Sequence, residues 1–152
     1  MSWVQLEAAA PELARLGRAL LEPVGLAMLG TVRRDGSPRV SPIGTFFIEN
    51  ELVLGVMARS AKARDLERDP RCALQSIVND PEAGESELKL YGRVDQATAD
   101  GGWWSGGRED AHVYRLLIDE AVFIDWDVRS QQLRVRRWTA QGGETVAERA
   151  YP

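Results

Sequence analysis

Cysteine and histidine are almost missing from this chain of 152 residues: Cys72 and His112 each stand alone. One cysteine forms no internal disulfide and no thiolate zinc cage, which suits a reducing cytoplasm. One histidine excludes the two-histidine metal motifs, and without a G-x-S-x-G a hydrolase triad has no matching nucleophile. Phosphate loops of the G-x-x-x-x-G-K-[ST] and G-x-G-x-x-G types are absent. No apolar run approaches the ~18 residues of a membrane span, and no charged-then-apolar leader opens the chain. A basic surplus is lacking too: 19 Lys and Arg against 23 Asp and Glu leave a net charge of -4. That balance argues against a nucleic-acid module working through a general basic surface. What remains is chemistry done by a bound cofactor, or no chemistry at all.

What is present reads as one globular domain over residues 1–152. With 44% hydrophobic and 28% charged residues, disorder is disfavoured. A chain of this length buries roughly two-thirds of its extended surface on folding, enough for a core without metal or disulfide staples.

Leu6 to Leu21 carries Leu6, Leu13, Leu16, Leu20 and Leu21 as a helical stripe, with Pro11 near its first turn and Pro23 beyond its end. The period then switches. Gly25 to Arg33 is apolar on both faces, as in a buried strand, and Arg34-Asp35-Gly36-Ser37 is a turn signal. Pro38 to Ile48 and Leu52 to Met57 complete an antiparallel meander. Ser60 to Asp69 returns to helical spacing, and Pro70 stops it. Further strands are predicted over Arg71 to Val78, Glu87 to Asp95, Ala121 to Val128 and Gln132 to Thr139, ahead of a Gly-rich tail. Asp80 to Ser86 and Asp100 to Asp110 read as loops. The expected fold is therefore mainly β: a split antiparallel β-barrel of six to seven strands, with an N-terminal helix and a short helix after the third strand.

The opening of that short helix suits an anion. Ser60 is placed as N-cap, and the free amides of the first turn, Lys62 and Arg64 would together attract a phosphate. Lysine is scarce, only Lys62 and Lys89, so an ammonium here is informative. An N-capped surface helix with solvated cations fits the same residues. On the second strand, Arg39, Ser41, Ile43, Thr45 and Phe47 share one face, and Val40, Pro42, Phe46 and Ile48 lie opposite. Polar groups on a half-buried face need partners, and Pro42 makes the strand locally an edge or bulged. An ordinary two-faced strand near the rim is the plainer reading.

Taken together, Asp35-Gly36-Ser37-Pro38-Arg39-Val40, then Ala58-Arg59-Ser60-Ala61-Lys62-Ala63-Arg64-Asp65-Leu66, then Asp69-Pro70-Arg71-Cys72-Ala73-Leu74 resemble the pyridoxamine 5'-phosphate oxidase-like superfamily of FMN-binding split barrels. The likeness covers roughly residues 25 to 140. It implies a homodimer with flavin in two clefts between subunits and a small-molecule substrate. It also implies that Arg39, Ser60 and Lys62 meet the flavin phosphate and that Val40, Ser41, Pro42 and Ile43 lie along the ring. By the same likeness Trp138 approaches the ring from the partner subunit, and Arg149 matches an arginine of the tail. Ala61, Gly44 and Glu87 depart from the pattern of the true oxidases, and the tail lacks their arginine-histidine motif. The resemblance is thus to a divergent flavin-dependent oxidoreductase using FMN, alternatively F420, rather than to a vitamin B6 oxidase. A non-catalytic flavin- or haem-binding protein on the same barrel is the competing class.

The other conspicuous residues have quieter readings. Cys72 alternates with Leu74 and packs in the core, and His112 follows a charged loop as an exposed side chain. Trp103-Trp104 between glycine pairs fits a lid, a barrel cap or a dimer contact. Arg134, Arg136 and Arg137 fit either a solvated strand face or a grip on an anionic cofactor tail.

Overall fold

The computed structural model describes residues 1–77, 86–96, 111–127 and 129–150. Two helices, α1 (Trp3–Ala9) and α2 (Pro11–Leu21), precede strands β1 (Leu26–Val32), β2 (Pro38–Ile48) and β3 (Glu51–Met57). Helix α3 (Ala61–Arg68) follows, then β4 (Arg71–Ser76), β5 (Ser86–Gln96), β6 (Ala111–Asp127), β7 (Gln132–Thr139) and β8 (Gly143–Ala150). The sheet runs in the order β3-β2-β1-β4-β5-β6-β7-β8, and an additional β3–β6 pairing closes the first six strands into an antiparallel barrel. The expected mainly β barrel, its leading helix and its inserted helix are all present.

Three details differ from expectation. The leading helix is two helices, because Pro11 has no N–H to continue α1; it sits instead at the start of α2, where none is needed. Strand β6 begins at Ala111 and is 17 residues long, so its first half pairs with β3 while its second half carries β7. The Gly-rich tail is strand β8, paired among the described residues only with β7. The predicted loops at Asp80 to Ser86 and Asp100 to Asp110, Trp103-Trp104 included, lie outside the described residues apart from Ser86, which opens β5, as do the expected strand ends at Val78 and Val128.

The meander is built by its turns. Gly36 takes φ +83° after Asp35, whose carboxylate accepts from the Ser37 N–H and hydroxyl at 3.0 and 2.6 Å. Glu49 and Asn50 both adopt positive φ, the requirement of a two-residue hairpin that matches strand twist. Inside, Leu29, Leu54, Leu74, Leu88, Leu90 and Leu116 are fully or almost fully buried. Trp3, Leu6, Leu13 and Leu21 of α1 and α2 join the same cluster. Each such leucine contributes about 1.5–3 kcal/mol by leaving water. The two N-terminal helices therefore belong to the core, and α3, which buries Ala63, Asp65 and Leu66, packs on β1 and β3.

Candidate functional site

Strand β2 changes partners along its length. Residues 38–44 pair with β1, whereas pairing with β3 begins only at Gly44. Residues 38–43 therefore present an open edge on the β3 side, the local edge expected from Pro42. Pro42 faces Met28 across the ladder, and its carbonyl turns outward to accept from the Lys62 ammonium. Backbone groups two residues apart point the same way, so the N–H and C=O of Val40 face that edge as well. No bulge is needed.

Side chains alternate as the strand period demands. Val40, 66% exposed, and Pro42 turn to the outer face of the barrel. Arg39, Ser41, Ile43 and Thr45 turn inward, Ile43 being buried in the core. The hydroxyls of Ser41 and Thr45 are buried and find no hydrogen-bond partner among the described residues. A buried hydroxyl without a partner is unfavourable by about 1–3 kcal/mol.

At the mouth beside that edge stands the start of α3. Ser60 is its N-cap, accepting the Ala63 N–H at 3.2 Å. An open basin of ≈ 670 Å³ adjoins it, lined by Arg33, Arg34, Asp35, Arg39, Ala61, Arg64, Asp65 and Arg68. Five guanidinium groups thus face two carboxylates in a chain whose net charge is negative. Both carboxylates are engaged: Asp35 by Ser37, and Asp65 by Arg39, Arg68 and Thr31. Arg33 and Arg34 have no ion-pair partner among the described residues. Burial pulls the Lys62 ammonium below its ordinary pKa, the direction an ammonium takes when it lacks an anion.

Of the expected phosphate residues, Arg39 and Arg64 line this basin, Ser60 caps the helix whose Ala61 is at its rim, and Lys62 reaches instead to the Pro42 carbonyl on the 38–43 edge. Trp138 does not line the basin: its indole is 2% exposed and packed in the core of its own chain, where β7 crosses Ala121. Arg149 lies on β8 opposite Leu133, and Arg134 and Arg136 pair with Glu148 and Glu144 of the same strand. Reading along the sequence missed Asp65, Arg68, Thr31 and the hairpin arginines. The signal for Asp65 was an acid beside Leu66 on the apolar face of a short helix. Nothing local marked the others.

Cys72 is 8% exposed, and burial, with the charge of Asp119 adding to it, pushes its thiol up to about 12. It is expected to stay unreacted toward an aromatic disulfide reagent in the folded protein and to titrate fully in denaturant. Fast labelling of the native state would contradict this placement. Half-buried His112 enters β6 opposite Val56, with its ring 6.0 Å from that of Tyr114. Among the described residues no cluster of His, Cys, Asp and Glu could hold a metal ion, and no helix is long and apolar enough to cross a membrane.

Comparison with known proteins agrees with this architecture. A pyridoxamine 5'-phosphate oxidase-related, FMN-binding protein from Nostoc punctiforme superposes with a TM-score of 0.64 at 13% identity, over 97% of this chain and 97% of that one. A heme binding protein from Mycobacterium smegmatis gives 0.62 at 13% identity, over 92% and 87%. An F420 reductase gives 0.53 at 23% identity, over 66% and 92%. At these identities the likeness is one of fold. No protein of curated function matches the chain. Residues 16–119, which span the barrel from α2 through the first half of β6, match the pyridoxamine 5'-phosphate oxidase family. That match covers more than half of the chain, and the chain therefore belongs to the pyridoxamine 5'-phosphate oxidase family.

Proposed function

We propose that this protein is a flavin-dependent oxidoreductase that holds FMN at the α3 mouth and exchanges hydride with a small organic substrate. The observation that carries the reading is the coincidence of three features at one place. These are the N-capped start of α3 with Lys62 reaching the Pro42 carbonyl, an open strand edge at residues 38–43, and the inward Ser41 hydroxyl, which finds no partner among the described residues. Ser60, Lys62, Arg39 and Arg64 would take the phosphate, whose charge suits the helix start and the guanidiniums. The Val40 N–H and C=O and the Ser41 hydroxyl would meet polar edges of the ring, while Pro42 and Ile43 shape the strand it lies on. When bound, the flavin supplies the hydride chemistry; these residues bind it, orient it and exclude water.

The reading extends to a homodimer, formed in the cytoplasm from whole chains acting as single domains, with cofactor sites between subunits. An outward apolar row supports it: Val40, Gly30, Ala73 and Tyr91 are in register across β2, β1, β4 and β5. Val40 and Tyr91 are 66% and 41% exposed. Exposed apolar side chains aligned on one sheet face suit an association surface. Trp138 would serve a partner's site only after leaving its own core, so it is proposed here as the wall behind β6 rather than as a ring contact.

A second reading, F420 in place of FMN, is favoured by the basin itself, which continues past the helix start to Arg68, Arg33 and Arg34. Those arginines suit a tail with more negative charge than one phosphate. Purified protein is expected to show flavin or deazaflavin bands, with the bound molecule identified by mass spectrometry. The apo-protein, titrated with FMN and F420 in parallel, is expected to prefer one of them. Retention without reduction by any donor would make it a binding protein, as the haem-binding structural neighbour is named to be. A colourless protein that takes up neither cofactor would overturn both readings.

A further inference from the structure

Asp65 is 4% exposed, yet it is charged and sits on α3 between two arginines. Its Oδ2 accepts from Arg39 Nε at 2.6 Å and from the Thr31 hydroxyl at 3.0 Å. Its Oδ1 accepts from Arg68 Nη2 at 3.3 Å. The three donors come from β2, β1 and α3, so one carboxylate ties together the elements that wall the basin. A carboxylate withdrawn from water is tolerable only when so paired. Burial raises its pKa, but the hydrogen bonds from Arg39, Thr31 and Arg68 outweigh that and hold it below the ordinary carboxylate range.

The geometry at Arg39 is the informative part. Its guanidinium uses Nε inward, and no other partner of its side chain is found among the described residues. The planar fork is thereby held in orientation at the basin wall that Arg39 lines, with its side chain still 30% exposed. Arg68 is tethered likewise, by Asp65 and by the Val32 carbonyl. Without the carboxylate both side chains would have to be ordered by the incoming anion, at the expense of its affinity. Against this, a negative charge beside Arg39 also lowers the attraction the basin exerts. The two effects have opposite signs, so experiment can separate them.

We propose that Asp65 is a positioning residue for oxyanion binding: it pre-orients Arg39 and Arg68 so that a phosphate-type ligand meets forks already in place. The proposal rests on the anion-binding part of the function proposed above, not on the identity of the ring.

The test uses apo-protein in wild type, Asp65→Asn, Asp65→Glu, Arg39→Ala and the Arg39→Ala/Asp65→Asn double variant. FMN is titrated by fluorescence and inorganic phosphate by phosphorus NMR. Asp65→Asn and Asp65→Glu are each expected to weaken both ligands by roughly 10-fold, and Asp65→Asn to cost only roughly 3-fold once Arg39 is gone, the remainder passing through Arg68. The Arg39 Nε–H is expected to be protected from exchange in the wild type and to lose that protection in Asp65→Asn. A merely structural role would lower the melting temperature with losses that add independently, and a purely electrostatic one would make Asp65→Asn bind tighter and Asp65→Glu bind like wild type. Any of those three results overturns the proposal. Asp65→Glu also serves alone should Asp65→Asn fail to fold. If phosphate shows the coupling but FMN does not bind, the flavin reading falls and the positioning role stands. If FMN binds without coupling, the reverse holds, and if neither anion binds, both fall.

Discussion

Lys62→Ala is expected to weaken FMN binding by roughly 30-fold, the worth of one charge-assisted hydrogen bond at about 2 kcal/mol, with little change in thermal stability. The asymmetry follows from what the ammonium touches. Its partner in the protein is the Pro42 carbonyl at the open edge of β2, which water can reach once the side chain is gone. Arg39→Ala is a blunter probe, because it strips a buried carboxylate of its shortest hydrogen bond. A pH dependence should accompany the loss. Burial lowers the Lys62 pKa, so the ammonium deprotonates earlier than an ordinary lysine as pH rises. Phosphate needs the charged form, hence wild-type affinity should fall through that alkaline range, and the fall should flatten in Lys62→Ala. Equal FMN affinity in wild type and variant would remove Lys62 from the site.

Gly92→Ala is expected to abolish folding, or to cost more than about 4 kcal/mol if any folded protein is recovered. Between Tyr91 and Gly92 the β5–β6 register slips: Tyr91 faces Glu120, but Gly92 faces Ile118. The extra residue on β6 drives the Leu117 carbonyl against β5, so a Cβ on Gly92 would lie 2.0 Å from that oxygen. The obstacle is backbone on both sides, not a flexible side chain that can swing away. Gly30, by contrast, has only ordinary van der Waals contacts at 3.5 Å and beyond, so Gly30→Ala is the matched control. Circular dichroism melts of the two variants decide the matter. A Gly92→Ala protein melting within a few degrees of wild type would show that β6 can shift to make room.

Much of the barrel was legible because its strands obey simple period and turn rules. Pro38–Ile48 and Gln132–Thr139 have the predicted limits, since Asp35-Gly36 and Pro38 open the first and the turn before Gln132 opens the second. The missed elements lack those cues. Strand β8 is exposed at every one of its 8 residues, so no apolar face betrays its period. The first half of β6 is apolar on both faces, with Val113 and Leu116 buried on opposite sides, so alternation does not show. Trp138 gave no hint of direction: an indole on a strand beside arginines reads as well outward as inward, and only packing over Ala121 turned it in.

The amino-acid order alone determined the N-capped, lysine-bearing start of α3, and the meander that delivers it. Those are local effects, decided within a few residues by capping, turn chemistry and side-chain alternation. Which cations share a mouth was a tertiary outcome. Arg68 lies far along the chain from Arg33, Arg34 and Arg39, and only barrel closure by β3 and β6 with α3 docked on β1 draws them to one basin, where Arg39 and Arg68 share the buried Asp65 carboxylate. Charges respond to distance in space, and the sequence states distance only along the chain.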